Sequence, residues 1–129
     1  MNAIDSIAAD IVDSAFKVHK ELGPGLLEST YEICLEHELV KRGHQVERQK
    51  IQPIHYDGQV IDAGYRIDLL VDDQIIVELK AISELAAIHQ AQLITYLKLS
   101  RKSLGFLINF NVPLIKDGIR RIAYQFKDS

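Results

Sequence analysis

The sequence predicts an α/β domain built on a mixed β-sheet flanked by helices, in the order ααβββαββ. Three observations predict it. Residues 4–22 repeat Ile4, Ile7, Ala8, Ile11, Ala15, Val18 and Leu22 at helical spacing. Residues 65–71 (YRIDLLV) and 75–80 (IIVELK) are aliphatic runs on either side of a short acidic turn, as expected of paired buried strands. Residues 84–100 then return to helical spacing ahead of a buried strand at 103–109 (SLGFLIN).

The first helix should end at Gly23-Pro24-Gly25, which helices rarely cross. A second should run from about Leu27 to Arg42 and stop at Gly43, with Leu27, Tyr31, Cys34, Leu35 and Leu39 as its apolar face. Glu28 falls inside that arc, which predicts a carboxylate on the buried side. Residues 45–56 (QVERQKIQPIHY) look extended, and Pro53 marks an edge position or a bulge. A turn at Asp57-Gly58 follows. Residues 119–126 (IRRIAYQF) complete the sheet as its last strand.

A chain of 129 residues suits one domain spanning 1–129, and 47% hydrophobic residues can supply its core. The lone cysteine, Cys34, cannot make an internal disulfide, an iron–sulfur cluster or a Cys-rich zinc site, and its apolar stripe marks it as core. Asp5, Asp10 and Asp13 are wrong for a signal peptide, and no apolar run is long enough to span a membrane. A cytoplasmic protein without a membrane partner is expected. The formal net charge of −3 argues against strong non-specific nucleic-acid binding. Clustered acidic metal ligands would lower the charge by themselves, and a bound metal would reverse the local field.

The chemistry lies in the paired strands. Side chains alternate faces along a strand, so Glu78 and Lys80 share one side. Asp68 can join them if the strands pair antiparallel in the right register. A two-residue loop would pair 71 with 74 and put Asp68 and Glu78 on opposite faces. A three-residue loop, 72–74, pairs 71 with 75 and brings 68 opposite 78, and this longer loop, or a bulge with the same effect, is predicted. Two carboxylates on a largely apolar sheet exceed what Lys80 can balance, and a divalent cation resolves the excess. Glu28 is expected to converge on the same cavity. Gln92 and Tyr96 lie one turn apart on a helical stripe with Leu85, Ile88 and Leu99, and are predicted to face the site.

Bland alternatives stand beside each of these. Glu78 and Lys80 could be a solvated strand face, Asp68 an ion-pair partner of Arg66 or a lysine, and Glu28 a carboxylate favoured by the helix dipole. Gln92 and Tyr96 could be a structural hydrogen-bonded pair, His89 a structural histidine, and Tyr31 a core aromatic. Lys41-Arg42, Arg48/Lys50, Arg101-Lys102 and Arg120-Arg121 are candidate phosphate contacts or plain surface.

Asp68, then nine residues, then Glu78-Leu79-Lys80 resembles the D…(D/E)xK core of PD-(D/E)xK phosphodiesterases. Gln92-Leu-Ile-Thr-Tyr96 resembles the QxxxY motif of the RecB-like branch. Gly25-Leu-Leu-Glu28-Ser-Thr-Tyr31 resembles the signature of the GxxExxY family in that superfamily. The resemblance implies a restriction-endonuclease-like core and a Mg²⁺ site, with Mn²⁺ as a possible substitute. In it Asp68, Glu78 and the Leu79 carbonyl would ligate the metal and Lys80 would be the catalytic lysine. Glu28 would be a further ligand or a base, and Gln92 and Tyr96 would position the site and substrate. Ile67 stands where the superfamily's proline would be, a position that varies widely. The expected activity is a nuclease on DNA, less favourably RNA, and a homodimer would suit cleavage of both duplex strands. The alternative is a silent nuclease-fold module that binds nucleic acid or a protein partner.

Overall fold

The computed structural model describes residues 3–125, so Phe126, the last residue of the final predicted strand, lies outside them. Helix α1 (Ala3–Leu22) is followed by α2 (Glu28–Lys41) and by strands β1 (Val46–Tyr56), β2 (Gln59–Val71) and β3 (Ile75–Lys80). Helix α3 (Ala87–Ser100) leads to β4 (Leu104–Asn109), a short 3₁₀ turn (Ile115–Gly118) and β5 (Ile119–Ala123). Among the described residues no helix is long and apolar enough to cross a membrane.

The five strands form one sheet in the order β1-β2-β3-β4-β5. All neighbours are antiparallel except β3 and β4, which are parallel because α3 carries the chain back between them. The sheet is therefore mixed, as predicted. β1 is an edge strand, and its register with β2 shifts between Gln52 and Ile54, at Pro53, which has no N–H to give a ladder. Asp57 and Gly58 both take positive φ (49° and 74°) and join Tyr56 to Gln59 as a tight two-residue hairpin. β2 starts earlier than the sequence suggests because the hairpin extends it back to Gln59.

Two apolar layers cover the sheet. On one side α1 places Ile7, Ala8, Ile11, Ala15 and Val18, and α2 places Tyr31, Leu35 and Leu39, against Leu69, Val71, Ile75, Val77 and Leu79. On the other, Leu93 and Leu97 of α3 meet Ile67, Leu70, Ile76, Leu107 and Ile122. Leu93 approaches β4 at Gly105, where any Cβ would be about 3.0 Å from the leucine methyl carbon. Cys34 packs at the margin of the first layer. Two apolar positions predicted for the first two helices are exposed. Leu27 precedes α2 and is 74% exposed, and Leu22 is exposed at the end of α1.

Candidate active site

β2 and β3 pair through Val71↔Ile75, Leu70↔Ile76 and Leu69↔Val77, and there the ladder stops. The loop thus has three residues, 72–74, as the register argument requires. The next pair along would be Asp68 with Glu78. In its place Asp68 Oδ2 accepts the Leu79 backbone N–H at 2.9 Å. The strands fork at this point, and a side chain replaces the missing ladder bond. The Asp68 and Glu78 side chains lie close enough for Asp68 to affect the ionisation of Glu78.

Glu78 is only 8% exposed, and its Oε1 is buried without a hydrogen-bond partner among the described residues. Burial first, and then the adjoining Asp68, push its pKa up to about 10, with Lys80 opposing. Ile76, on the same face of β3, is fully buried against α3. A solvated strand face is therefore excluded. Asp68 takes its hydrogen bonds from Gln49 and the Leu79 main chain.

Glu28 opens α2. Its position follows from Tyr31, whose hydroxyl donates to Gly23 O (2.6 Å) and accepts the Leu26 N–H (3.0 Å), while its ring stacks on Phe110 at 4.6 Å. Tyr31 is the core aromatic that closes the Gly25–Tyr31 turn. Burial raises the Glu28 pKa and so does Asp68, whereas Lys80 and the Ala81 main chain favour the ionised form. Glu28 thus lies within electrostatic range of Asp68 and Lys80. Yet among the described residues no three His, Cys, Asp or Glu side chains gather closely enough to hold an ion. The expected convergence of three carboxylates is corrected to a close pair, Asp68 and Glu78, with Glu28 standing off on the α2 side. Like charges with nothing between them repel, which opposes a closed triad.

The α3 stripe also needs correction. Leu93 and Leu97 are the buried residues, while Ile88 is 69% exposed and Gln92 and Leu99 are exposed as well. The close approach at Gly105 sets the helix's rotation, which a helical wheel cannot supply. Tyr96 is half-buried because its ring stacks on Tyr65, centroids 4.1 Å apart, and Tyr65 Oη donates to Tyr96 O at 3.1 Å. Burial and the charges of Glu78 and Asp68 raise the Tyr96 pKa, while a Gln92 hydrogen bond lowers it. Burial pushes the Tyr65 hydroxyl up to about 12. Gln92 lies beside Tyr96, and Tyr96 also senses both carboxylates.

Three residues near the site escaped sequence reasoning. Glu32 is 3% exposed and lies one turn after Glu28, in the arc of Leu35 and Leu39, so the helical wheel could have found it. Gln49 donates from Nε2 to Glu32 Oε1 (2.8 Å), Glu32 Oε2 (2.9 Å) and Asp68 Oδ1 (3.2 Å). It does so from a left-handed backbone, φ 56°, which costs a non-glycine residue about 1–3 kcal/mol. Tyr65 is the third. Gln49 and Tyr65 acquire their partners only from other elements.

Most candidate phosphate contacts are engaged within the chain. Arg48 pairs with Glu32 (3.4 Å) and Glu36 (3.7 Å), Lys50 with Glu47 (3.1 Å), and Lys102 with Asp73 (3.1 Å). Arg42 reaches Asp10 (3.8 Å), and Arg121 reaches Asp5 (3.8 Å). His89 Nδ1 accepts the Ala86 N–H at 2.9 Å and caps α3, a structural role.

The donor set suits a hard divalent cation. Two adjacent carboxylates supply oxygen ligands, and the partnerless, buried Glu78 Oε1 is the atom such an ion would satisfy. Mg²⁺ needs only one or two carboxylates because it keeps several waters, so a third protein ligand is not required.

The crystal structure of SSO0001 resembles this fold, with a TM-score of 0.57 and 23% identity over 78% of this chain. The matched region is 52% of that chain, so the present sequence spans about half its length. No curated protein matches. The model of the PD-(D/E)XK nuclease superfamily matches residues 5–122, nearly the whole sequence, with Asp68, Glu78 and Lys80 inside it, and the chain belongs to that superfamily.

Proposed function

We propose that this chain is a Mg²⁺-dependent phosphodiesterase of the GxxExxY type that hydrolyses DNA, with Mn²⁺ able to replace Mg²⁺. One observation carries the reading. Glu78 is buried with an oxygen lacking a partner among the described residues, beside Asp68, and Lys80 follows on the same face of the strand. Such a group is costly to keep unless it binds something. The Gly25–Glu28–Tyr31 turn and the Gln92–Tyr96 pair support placement in the GxxExxY family with the RecB-like QxxxY motif. Superfamily members generally use divalent metals.

Asp68, Glu78 and the Leu79 carbonyl would hold the cation. When bound, it supplies a Lewis acid for the phosphate and makes a neighbouring water more acidic. The Lys80 ammonium faces the phosphate and stabilises charge developing on its oxygens. Glu28, held off the metal pair and with a raised pKa, takes the proton of the attacking water as oxygen bonds to phosphorus, and the oxygen released from the leaving P–O bond takes a proton from solvent water. Tyr96, oriented by Gln92 and by the Tyr65 ring, lines the approach from α3.

The test is cleavage of linear, circular and single-stranded DNA, and of RNA, with Mg²⁺, Mn²⁺ or EDTA. Lys80→Ala should lower the rate by about 10²–10³ while retaining Mn²⁺ binding. Asp68→Ala should lose both. Wild-type cleavage that survives EDTA, or that Lys80→Ala leaves unchanged, refutes the mechanism. Nucleic-acid binding without metal-dependent cleavage would instead identify a silent binding module.

A further inference from the structure

We infer that Gln49 is a positioning residue for Asp68, anchored by Glu32, and that this pair sets how tightly the site takes a divalent cation. The inference rests on the proposed function and concerns residues outside the motifs that suggested it.

Gln49 lies mid-strand between two regular pairs, Arg48↔Leu69 and Lys50↔Ile67, yet its own backbone is left-handed and its pairing with Asp68 is missing from the ladder. No turn requires this conformation. An unfavourable backbone in a regular strand persists only where the surroundings impose it, and such residues cluster at functional sites. Here the amide nitrogen sits between two carboxylates, bonded to both Glu32 oxygens and to Asp68 Oδ1. Carboxylates only accept, so the orientation of the amide is unambiguous: both hydrogens point at acids.

The consequence falls on Asp68. Oδ1 is held by Gln49 and Oδ2 by the Leu79 N–H, so neither oxygen can rotate away. An ionised carboxylate has about four acceptor positions, which leaves room for a cation after two hydrogen bonds. Gln49 is also the right kind of donor. A lysine here would bridge the same two acids but would cancel the negative charge that attracts the ion. A neutral amide orients Asp68 and leaves its charge in place. Glu32, buried and flanked by Arg48 at 3.4 Å, fixes the amide in turn. Groups that orient a metal ligand in this way typically contribute 10–100-fold to metal affinity.

The decisive experiment is calorimetric titration with Mn²⁺ of wild type and Gln49→Gly, with thermal melts in EDTA. Glycine accepts the left-handed backbone, so the variant removes the amide without straining the strand. The expected result is Mn²⁺ affinity of the folded protein weakened by about 10–100-fold and cleavage that recovers at saturating Mn²⁺, whatever melting temperature the loss of Glu32's partner leaves. A merely structural role predicts a lower melting temperature with wild-type Mn²⁺ affinity in the folded fraction. Gln49→Lys should abolish Mn²⁺ binding through its competing charge. Should Gln49→Gly fail to fold, Glu32→Gln takes its place with the same two outcomes, because it keeps the shape and removes the anchor's charge. Wild-type Mn²⁺ affinity in the variant overturns this inference and leaves the proposed function standing. Wild-type protein that binds no Mn²⁺ overturns both.

Discussion

The two faces of the sheet divide the work unequally. On one, α1 and α2 close a continuous apolar layer over Ile75, Val77 and Leu79 of β3. On the other, α3 contributes a smaller cluster around Ile76, Leu93 and Leu97. Side chains of one strand therefore meet two environments: the odd positions are sealed, while the even ones run from buried Ile76 through Glu78 to half-buried Lys80. The Asp68–Glu78 pair sits where the smaller layer ends and where β2 leaves β3. Apolar burial is concentrated on the face that α1 and α2 cover, which lets the margin of the other hold groups that destabilise the fold.

Breaking the sealed face should have the largest effect. Leu35 is fully buried there, and Leu35→Ala should cost about 2–5 kcal/mol in urea denaturation. The folded fraction should still bind Mn²⁺ as wild type does, and altered affinity would contradict the division between faces.

On the open face the sign reverses. The folded pKa of Glu78 is raised to about 10 from 4.5, so the native state favours the protonated acid. Metal-free stability should fall as pH rises from about 4.5 toward 10, because the unfolded chain ionises freely and the folded one does so at a cost. Glu78→Gln removes that cost. It should raise stability at pH 8 in EDTA by on the order of 1–3 kcal/mol, flatten the pH dependence and abolish cleavage. A lower melting temperature for this variant would show that the site is not the strained region claimed.

A smaller effect is expected at His44, whose ring lies between Asp10 Oδ2 (2.7 Å) and Asp72 Oδ2 (2.5 Å) and ties α1 to the β2–β3 loop. Burial disfavours the charged ring, but the two carboxylates outweigh it and hold the pKa above 6.5. For a raised histidine the stabilisation is complete below about pH 6.5 and is lost as pH rises through the folded value. His44→Asn should therefore cost on the order of 1–2 kcal/mol at pH 6 and much less at pH 9, read from melts across that range. The smallest change belongs to Ile88→Ala, within about 0.5 kcal/mol, since that side chain is exposed. A larger loss would mean that α3 turns a different face to the sheet.

Local pattern made the elements legible. Apolar spacing placed α1 and α2, Pro53 marked the irregular edge, and Asp57-Gly58 marked the hairpin. The alternation argument extended to register: the acidic turn had to have three residues for Asp68 and Glu78 to share a face, and it does. On α3 the same reasoning went astray. Leu93 and Leu97, not Ile88 and Leu99, face the sheet, because packing at Gly105 rather than average periodicity chose the rotation.

By itself, the sequence determined the order of elements, the three-residue β2–β3 loop and the placement of Glu78 and Lys80 on one side of β3, because a strand's period of two is a property of the backbone. It also carried the Gly25–Glu28–Tyr31 turn, whose bonds are local. Only the tertiary structure decided how the carboxylates are shared out. Burial between layers made Glu78 a reluctant anion, and the lapse of the β2–β3 ladder turned Asp68 toward the Leu79 amide. A left-handed Gln49 joined Glu32 to Asp68 across elements distant in sequence. Such contacts depend on where the helices settle on the sheet, and that is fixed by side-chain packing across the whole domain rather than by any local run of residues.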